Sequence, residues 1–288
     1  METGVMRTLS QYVRRTPTMH VTVDGRPLVF KLEHLQLTGS FKIRGAVNTL
    51  LSLNVSEVVT ASGGNHGIAV AQAAQLLGAH ATVFVPVTAP EAKTKRIEAL
   101  GAKLIRHGNT YAEAAMAARD FGLPYIEAYN DPKVIEGQST VTQEIVEDVP
   151  DVDTIAIAVG GGGLVAGAAL ASGGRHIIAV EPRHCCAMYN ALAAGVPVDS
   201  EVNSIAADAL GATRAGDLAL EILQQHNVSS VLVSDVDILD ARDRLWADFR
   251  LAVEPAGAAA FASFLKGDVP GELPCVVLCG ANSEWQPR

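Results

Sequence analysis

Thr154-Ile155-Ala156-Ile157-Ala158-Val159-Gly160-Gly161-Gly162-Gly163-Leu164-Val165-Ala166-Gly167 passes from an apolar run through four consecutive glycines into a second apolar run. Six apolar or β-branched residues bounded by glycine read as a buried strand, and the run from 164 to 171 reads as a helix. A strand that leads through a short loop into a helix is half of a βαβ unit, and a strand apolar on both faces needs helices on both sides. The glycines let the backbone turn its amides inward at the start of the helix, where the dipole adds a positive end, so the loop suits a phosphate dianion. A plain strand-to-helix turn rarely needs four glycines, because each costs order. The same loop admits another ligand. Gly161-x-Gly163-x-x-Ala166 fits the dinucleotide fingerprint, and Glu181, at the end of the next strand, stands where a ribose-binding acid would.

The alternation continues on both sides. Strands are expected at 28–32, 58–61, 81–85, 103–105, 124–126, 154–159, 177–180, 231–233 and 275–278. Helices are expected at 67–77, 91–100 (flanked by proline), 111–120, 134–149, 164–171, 187–194, 217–225, 237–249 and 256–265. A helix around 9–13 precedes an extended lead-in over 14–18. Short-period alternation of strand and helix means right-handed crossovers and an α/β class with two open, mostly parallel sheets. Residues 55–130 read as a small lobe inserted into a large lobe made of 1–54 and 131–288, and ligands of such sheets bind beyond the carboxyl ends of the strands.

Composition narrows the function classes. The 288 residues carry a formal charge of −9 with no basic run, which argues against nucleic acid and anionic membranes as partners. No apolar run is long enough to span a bilayer, and the first seven residues do not form a signal peptide, so the cytoplasm is the expected location. Cys185 and Cys186 are adjacent, while Cys275 and Cys279 fall in an apolar strand; neither pair has zinc-ligand spacing, so no disulfide and no metal site is expected.

Two further stretches carry chemistry. In Thr38-Gly39-Ser40-Phe41-Lys42-Ile43-Arg44-Gly45-Ala46, Ser40 is the natural N-cap of a helix running on through 46–51, which places Lys42 in its first turn. There its charge opposes the dipole. Lys42 is either a solvated lysine whose stem covers the helix start or an amine destabilised for Schiff-base chemistry. Ala61-Ser62-Gly63-Gly64-Asn65-His66-Gly67 again joins a strand to a helix start; exposed amides and a serine hydroxyl suit a carboxylate, and Asn65 suits a ring hydroxyl. His66 also reads as a helix-start residue held by its neighbours. One anion site in each lobe pairs a phosphorylated cofactor with an amino or oxo acid.

These motifs, with Gly137-Gln138-Ser139-Thr140, Val180-Glu181-Pro182, Glu254-Pro255-Ala256-Gly257 and Cys279-Gly280-Ala281-Asn282, occur in register nearly end to end. Together they resemble the serine/threonine dehydratases (threonine ammonia-lyases) of the fold-type II pyridoxal-phosphate enzymes, a group with the tryptophan synthase β architecture that includes serine racemase. The resemblance implies that Lys42 holds pyridoxal 5′-phosphate as a Schiff base and later moves the α-proton. Phe41 would pack against the ring, Asn65 would bond its 3′-oxygen, and Gly160, Gly161, Gly162, Gly163 and Leu164 would hold the phosphate. Glu254 and Cys279 would flank the ring, Cys279 beside the pyridine nitrogen. Ser62, Gly63, Asn65 and His66 would receive the amino-acid substrate.

Departures from the pattern refine what is implied. Gly63 replaces the serine with which serine racemase protonates the opposite face, which favours a one-base dehydratase. Ala187 replaces the aspartate of metal-binding members, and the chain reaches only Arg288, leaving no room for a regulatory domain. The reaction implied is release of 2-oxobutanoate or pyruvate plus ammonia from L-threonine or L-serine. Dehydration of another β-hydroxy amino acid, of phenylserine or hydroxyaspartate type, and a nicotinamide oxidoreductase are the rivals. A homodimer is the family expectation.

Overall fold

The computed structural model describes residues 4–89 and 91–285; Pro90, expected to flank a helix, and the chain ends 1–3 and 286–288 lie outside the described residues. In chain order the elements are α1 (Gly4–Leu9), β1 (Thr18–Val23), β2 (Arg26–Lys31), α2 (Lys42–Leu53), β3 (Glu57–Ala61), α3 (Asn65–Leu77), β4 (His80–Val85), α4 (Glu91–Ala99), β5 (Lys103–Arg106), α5 (Tyr111–Arg119), α6 (Pro132–Asp148), β6 (Thr154–Ala158), α7 (Gly163–Ala171), β7 (His176–Pro182), α8 (Ala187–Ala194), α9 (Ala207–Leu210), α10 (Asp217–Gln224), β8 (Val228–Val233), α11 (Asp235–Phe249), α12 (Pro255–Leu265) and β9 (Pro274–Val277). The strands form a six-stranded sheet in the order β1-β2-β9-β6-β7-β8 and a three-stranded sheet in the order β3-β4-β5. Every pairing is parallel except β1 with β2, as expected of a mostly parallel α/β fold. β6 lies between β9 and β7 with all its residues buried, which is why its sequence is apolar without alternation.

Local chemistry explains where the elements depart from expectation. β1 falls partly on the expected lead-in and forms a hairpin with β2, closed by Asp24 and Gly25 at φ of 51° and 80°. Two left-handed residues in succession make the turn whose twist suits a hairpin, and Asp-Gly is a pair that such a turn favours. The expected strand at 124–126 is a single bridge from Tyr125 to Val59. Pro124 has no N–H to give a ladder, and the Ile126 carbonyl accepts instead from Thr60 Oγ1 at 2.9 Å.

Ser40 does not cap α2. Phe41 precedes the first helical residue, no side chain caps the amides, and Ser40 pairs with Gly280 instead. That bridge and a bond from Phe41 N to the Cys279 carbonyl (3.2 Å) stitch the start of α2 to the end of β9. α2 then turns Ile43, Val47 and Leu50 into a cluster with Val58, Val70 and Val83 of the three-stranded unit. A larger cluster, with Phe30, Ile155, Ile178, Phe261 and Val276, fills the six-stranded sheet.

Candidate functional site

The strands β3, β6 and β9 end in the loops 62–64, 159–162 and 278–280, and the start of α2 joins them there. An inner cavity of about 40 Å³ brings together Phe41, Lys42, Asn65, Gly160, Gly161, Gly162, Gly163, Leu164, Glu254 and Cys279, gathered from both ends of the chain. An outer cavity of about 530 Å³ adjoins it, sharing Asn65 and Glu254 and lined also by Gly63, Gly64, Arg96 and Asn282. Ser62 and His66 line neither cavity. Ser62 Oγ accepts from Gly64 N at 3.2 Å and shapes the turn. His66 is buried with Nε2 on the Ile126 carbonyl at 3.1 Å, and burial, aided by the charge of Lys42, depresses it to about 3. A neutral imidazole donating to a carbonyl carries no cation to a carboxylate, so the helix-start reading of His66 holds for its side chain.

Lys42 is oriented by a bond from Nζ to the Ala128 carbonyl at 2.7 Å, and its ammonium lies 5.3 Å from the Phe41 ring centroid. Burial lowers Lys42 to about 8. The amine is therefore partly neutral near physiological pH, the state in which a lysine attacks a carbonyl. Burial, reinforced by the charge of Glu254, pushes the Cys279 thiol well above its ordinary range. It stays protonated and donates to the Ala256 carbonyl at 3.5 Å.

The glycine loop is shaped for a group that approaches its backbone. Gly162 stands at φ 101°, closed to L side chains, and caps α7 without any side-chain acceptor on the first-turn amides. A Cβ at Gly161 would lie 2.3 Å from the Tyr129 ring. A loop stripped of side chains at a helix N-terminus fits a phosphate, and the amine of Lys42 facing the same cavity fits an aldehyde. The residues present thus suit a phosphorylated aldehyde cofactor: the loop 160–164 for its phosphate, Lys42 for its carbonyl, Asn65 and Cys279 for ring atoms. Glu181 takes no part. It accepts from Met188 N (2.9 Å) and Tyr189 N (2.7 Å) and caps α8, with burial raising its carboxyl to about 8 against those two bonds. That engagement removes the acid on which the ribose reading leaned. Among the described residues no group of three or more His, Cys, Asp and Glu is placed to hold a metal ion.

Sequence reasoning missed the buried ion cluster behind Lys42. Arg44 contacts Glu33 Oε1 at 2.7 Å and Glu144 Oε1 at 2.7 Å, and Lys31 Nζ contacts Glu144 Oε2 at 2.6 Å. Thr16 Oγ1 also donates to Glu33. The four charges lie in β2, the turn after it, α2 and α6. Only the alternation-breaking Lys31 and Glu33 beside an apolar strand hinted at them. Tyr129 and Arg96 were missed too, since neither stands in a motif.

The family model described as pyridoxal-phosphate dependent enzyme matches residues 9–280. The chain is 37% identical over 293 residues to an L-threonine ammonia-lyase of Thermotoga maritima, covering 96% of this chain and 73% of that protein. It is 32% identical to a serine racemase of Arabidopsis thaliana, covering 95% of this chain and 89% of that one. The processed form of threonine deaminase isoform 2 from Solanum lycopersicum superposes with a TM-score of 0.89 at 30% identity, over 96% of this chain and 82% of that one.

Proposed function

From the premise that this chain belongs to the pyridoxal-phosphate-dependent enzyme family, its serine/threonine dehydratase branch, we propose that it deaminates a small β-hydroxy amino acid, L-threonine or L-serine: water is eliminated across the α- and β-carbons, and hydrolysis of the resulting enamine takes one water back and releases ammonia and a 2-oxo acid. The cofactor is pyridoxal 5′-phosphate, which sets aside the nicotinamide reading of the glycine loop. When bound it supplies the electron sink that acidifies the α-carbon of an attached amino acid.

The residues of the chain do the rest. Lys42, held at about 8, would hold the cofactor aldehyde through Nζ, and the same atom would take the α-proton of a substrate amino acid. The amides of 160–164 would anchor the phosphate, and those of Gly63 and Asn65 would receive the substrate carboxylate, Gly64 N being held by Ser62 Oγ at 3.2 Å. The protonated Cys279 gives the ring nitrogen a neutral partner. A neutral partner would not hold that nitrogen cationic as a carboxylate would, which would favour loss of a β-hydroxyl over prolonged charge at the α-carbon.

One observation favours elimination over racemisation: the poverty of Gly63. The atoms nearest a Cβ there are Val85 Cγ1 at 3.6 Å and Ala89 Cβ at 3.9 Å, so position 63 itself brings no proton donor to the loop. Lys42 is the only lysine, arginine or histidine among the described residues lining the inner cavity, and the carboxylate there, Glu254, accepts from Asn65 Nδ2 at 2.7 Å. A single base on one face suits proton removal followed by loss of hydroxide, whereas inversion needs a donor on each face. The test is a panel of L-threonine, L-serine, phenylserine and hydroxyaspartate, with 2-oxo acid and D-serine measured in parallel. Oxo acid from threonine or serine, in excess over D-serine, is the expected result. D-serine without oxo acid overturns the elimination reading, and oxo acid from the larger substrates alone moves the specificity to them.

A further inference from the structure

A chain of side-chain hydrogen bonds joins the two cavities. Asn65 Nδ2 donates to Glu254 Oε1 at 2.7 Å, and Asn65 Oδ1 accepts from Asn282 Nδ2 at 2.6 Å. Asn282 Nδ2 also donates to the Thr38 carbonyl at 2.8 Å. Asn282 Oδ1 accepts from Arg96 Nη1, and Arg96 Nη2 donates to the same Thr38 carbonyl at 3.2 Å. Arg96 stands on α4, while Thr38 and Asn282 flank the start of α2 and the end of β9, so the chain crosses between the three-stranded and six-stranded units.

Each link has a fixed polarity. A guanidinium has donors only, so it engages Asn282 through Oδ1 and leaves the Asn282 amine to face Asn65. Asn65 answers with Oδ1, which turns its Nδ2 toward Glu254 and the inner cavity. One Nδ2 hydrogen goes to the carboxylate, and the other is left for a ring oxygen. Asn282 is thus read as oxygen-out and nitrogen-in by Arg96 at one end and Thr38 at the other. Among these partners, Arg96 is the one supplied by α4, at the outer cavity.

We propose that Arg96 is a positioning residue: through Asn282 it sets the orientation of the Asn65 amide that faces the cofactor. The inference rests on Asn65 facing the cofactor ring oxygen. Its test reads the ratio of the bound cofactor's two visible absorbance bands in the holoenzyme, because that ratio reports how the ring oxygen is hydrogen-bonded. Asn65→Ala tests the facing residue itself. Arg96→Leu is expected to move the ratio in the same direction by about two- to twelvefold, the range of one neutral hydrogen bond. Arg96→Lys, still a pure donor, restores most of the wild-type ratio. Arg96→Leu added to Asn65→Ala changes nothing further, because the two act through one group.

Arg96 is exposed, so Arg96→Leu retains the fold, with thermal unfolding as the check. Asn282→Asp gives an independent arm: it keeps an acceptor for Arg96, removes the donor to Asn65, and is expected to shift the ratio likewise. An unmoved ratio in Asn65→Ala overturns the placing of Asn65 at the ring, and the proposal with it. A moved ratio in Asn65→Ala beside a wild-type ratio in Arg96→Leu overturns the relay alone, as does an additive double variant.

Discussion

A lysine in the first turn of a helix is poorly served by the dipole, and α2 places Lys42 there with no acidic residue in that turn. The arrangement makes sense if the amine works neutral. Burial holds it at about 8, against an ordinary 10.5. The sign follows: below 8 the folded and unfolded chains both bind the proton and the cost of the buried charge is fully present, and it is relieved as pH rises from 8 toward 10.5. Stopped-flow absorbance during addition of pyridoxal phosphate to the cofactor-free protein is therefore expected to show attachment speeding up about tenfold per pH unit below 8 and levelling above it, the behaviour of a free-amine nucleophile. A rate independent of pH from 6.5 to 9 contradicts a lowered Lys42. Lys42→Ala is expected to abolish both turnover and the mass increment left after borohydride reduction, and an increment persisting on another residue refutes the assignment.

The element that fixes this lysine is α2, and what fixes α2 is its buried charge. Lys31, Glu33 and Arg44 are each 0% exposed, and two cations meet two anions once Glu144 is added. Removing one partner strands the others without water, so Arg44→Met is expected to lower stability by about 3–5 kcal/mol in urea unfolding. A loss below 1 kcal/mol shows that the cluster is not what holds α2. Burial alone would raise Glu33, but the Arg44 guanidinium outweighs it and the carboxyl sits below its ordinary 4.5. Its contribution is complete above 4.5 and disappears as pH falls through the lowered native value, so the acid-unfolding midpoint is expected to shift upward in Arg44→Met. The cluster shows where sequence reasoning ends. Strand runs, glycine loops and the Lys42 motif are local signals and were legible. Glu144, the partner shared by Lys31 and Arg44, comes from 113 and 100 residues away, and no periodicity announces a contact at that range. Ser40 failed as a cap for the same reason: Gly280, far along the chain, claims its backbone. Tyr129 and Arg96 reach the site from segments whose placement only the folded sheets decide.

At the scale of the whole molecule the site belongs to neither sheet. Lys42 opens α2, Asn65 opens α3 of the three-stranded unit, and Gly161 and Cys279 follow β6 and β9 of the six-stranded one. α6 is the mechanical link between them, because glycine lets it pack tightly on α2: a Cβ at Gly137 would lie 2.6 Å from the Arg44 carbonyl and 2.8 Å from Gly45 Cα. Gly137→Ala is therefore expected to destabilise by about 1–3 kcal/mol through overpacking at that seam, and to weaken the cofactor site with it. A ligand held from both units stabilises only the state in which they are joined, by about 2.7 kcal/mol at one hundred times its dissociation constant. Calorimetry with increasing pyridoxal phosphate is expected to show one unfolding transition moving upward as a whole in the wild type, and a smaller displacement in Gly137→Ala. Two transitions, only one of them responding to the cofactor, contradict this coupling, since they require a site built on one unit and indifferent to the other.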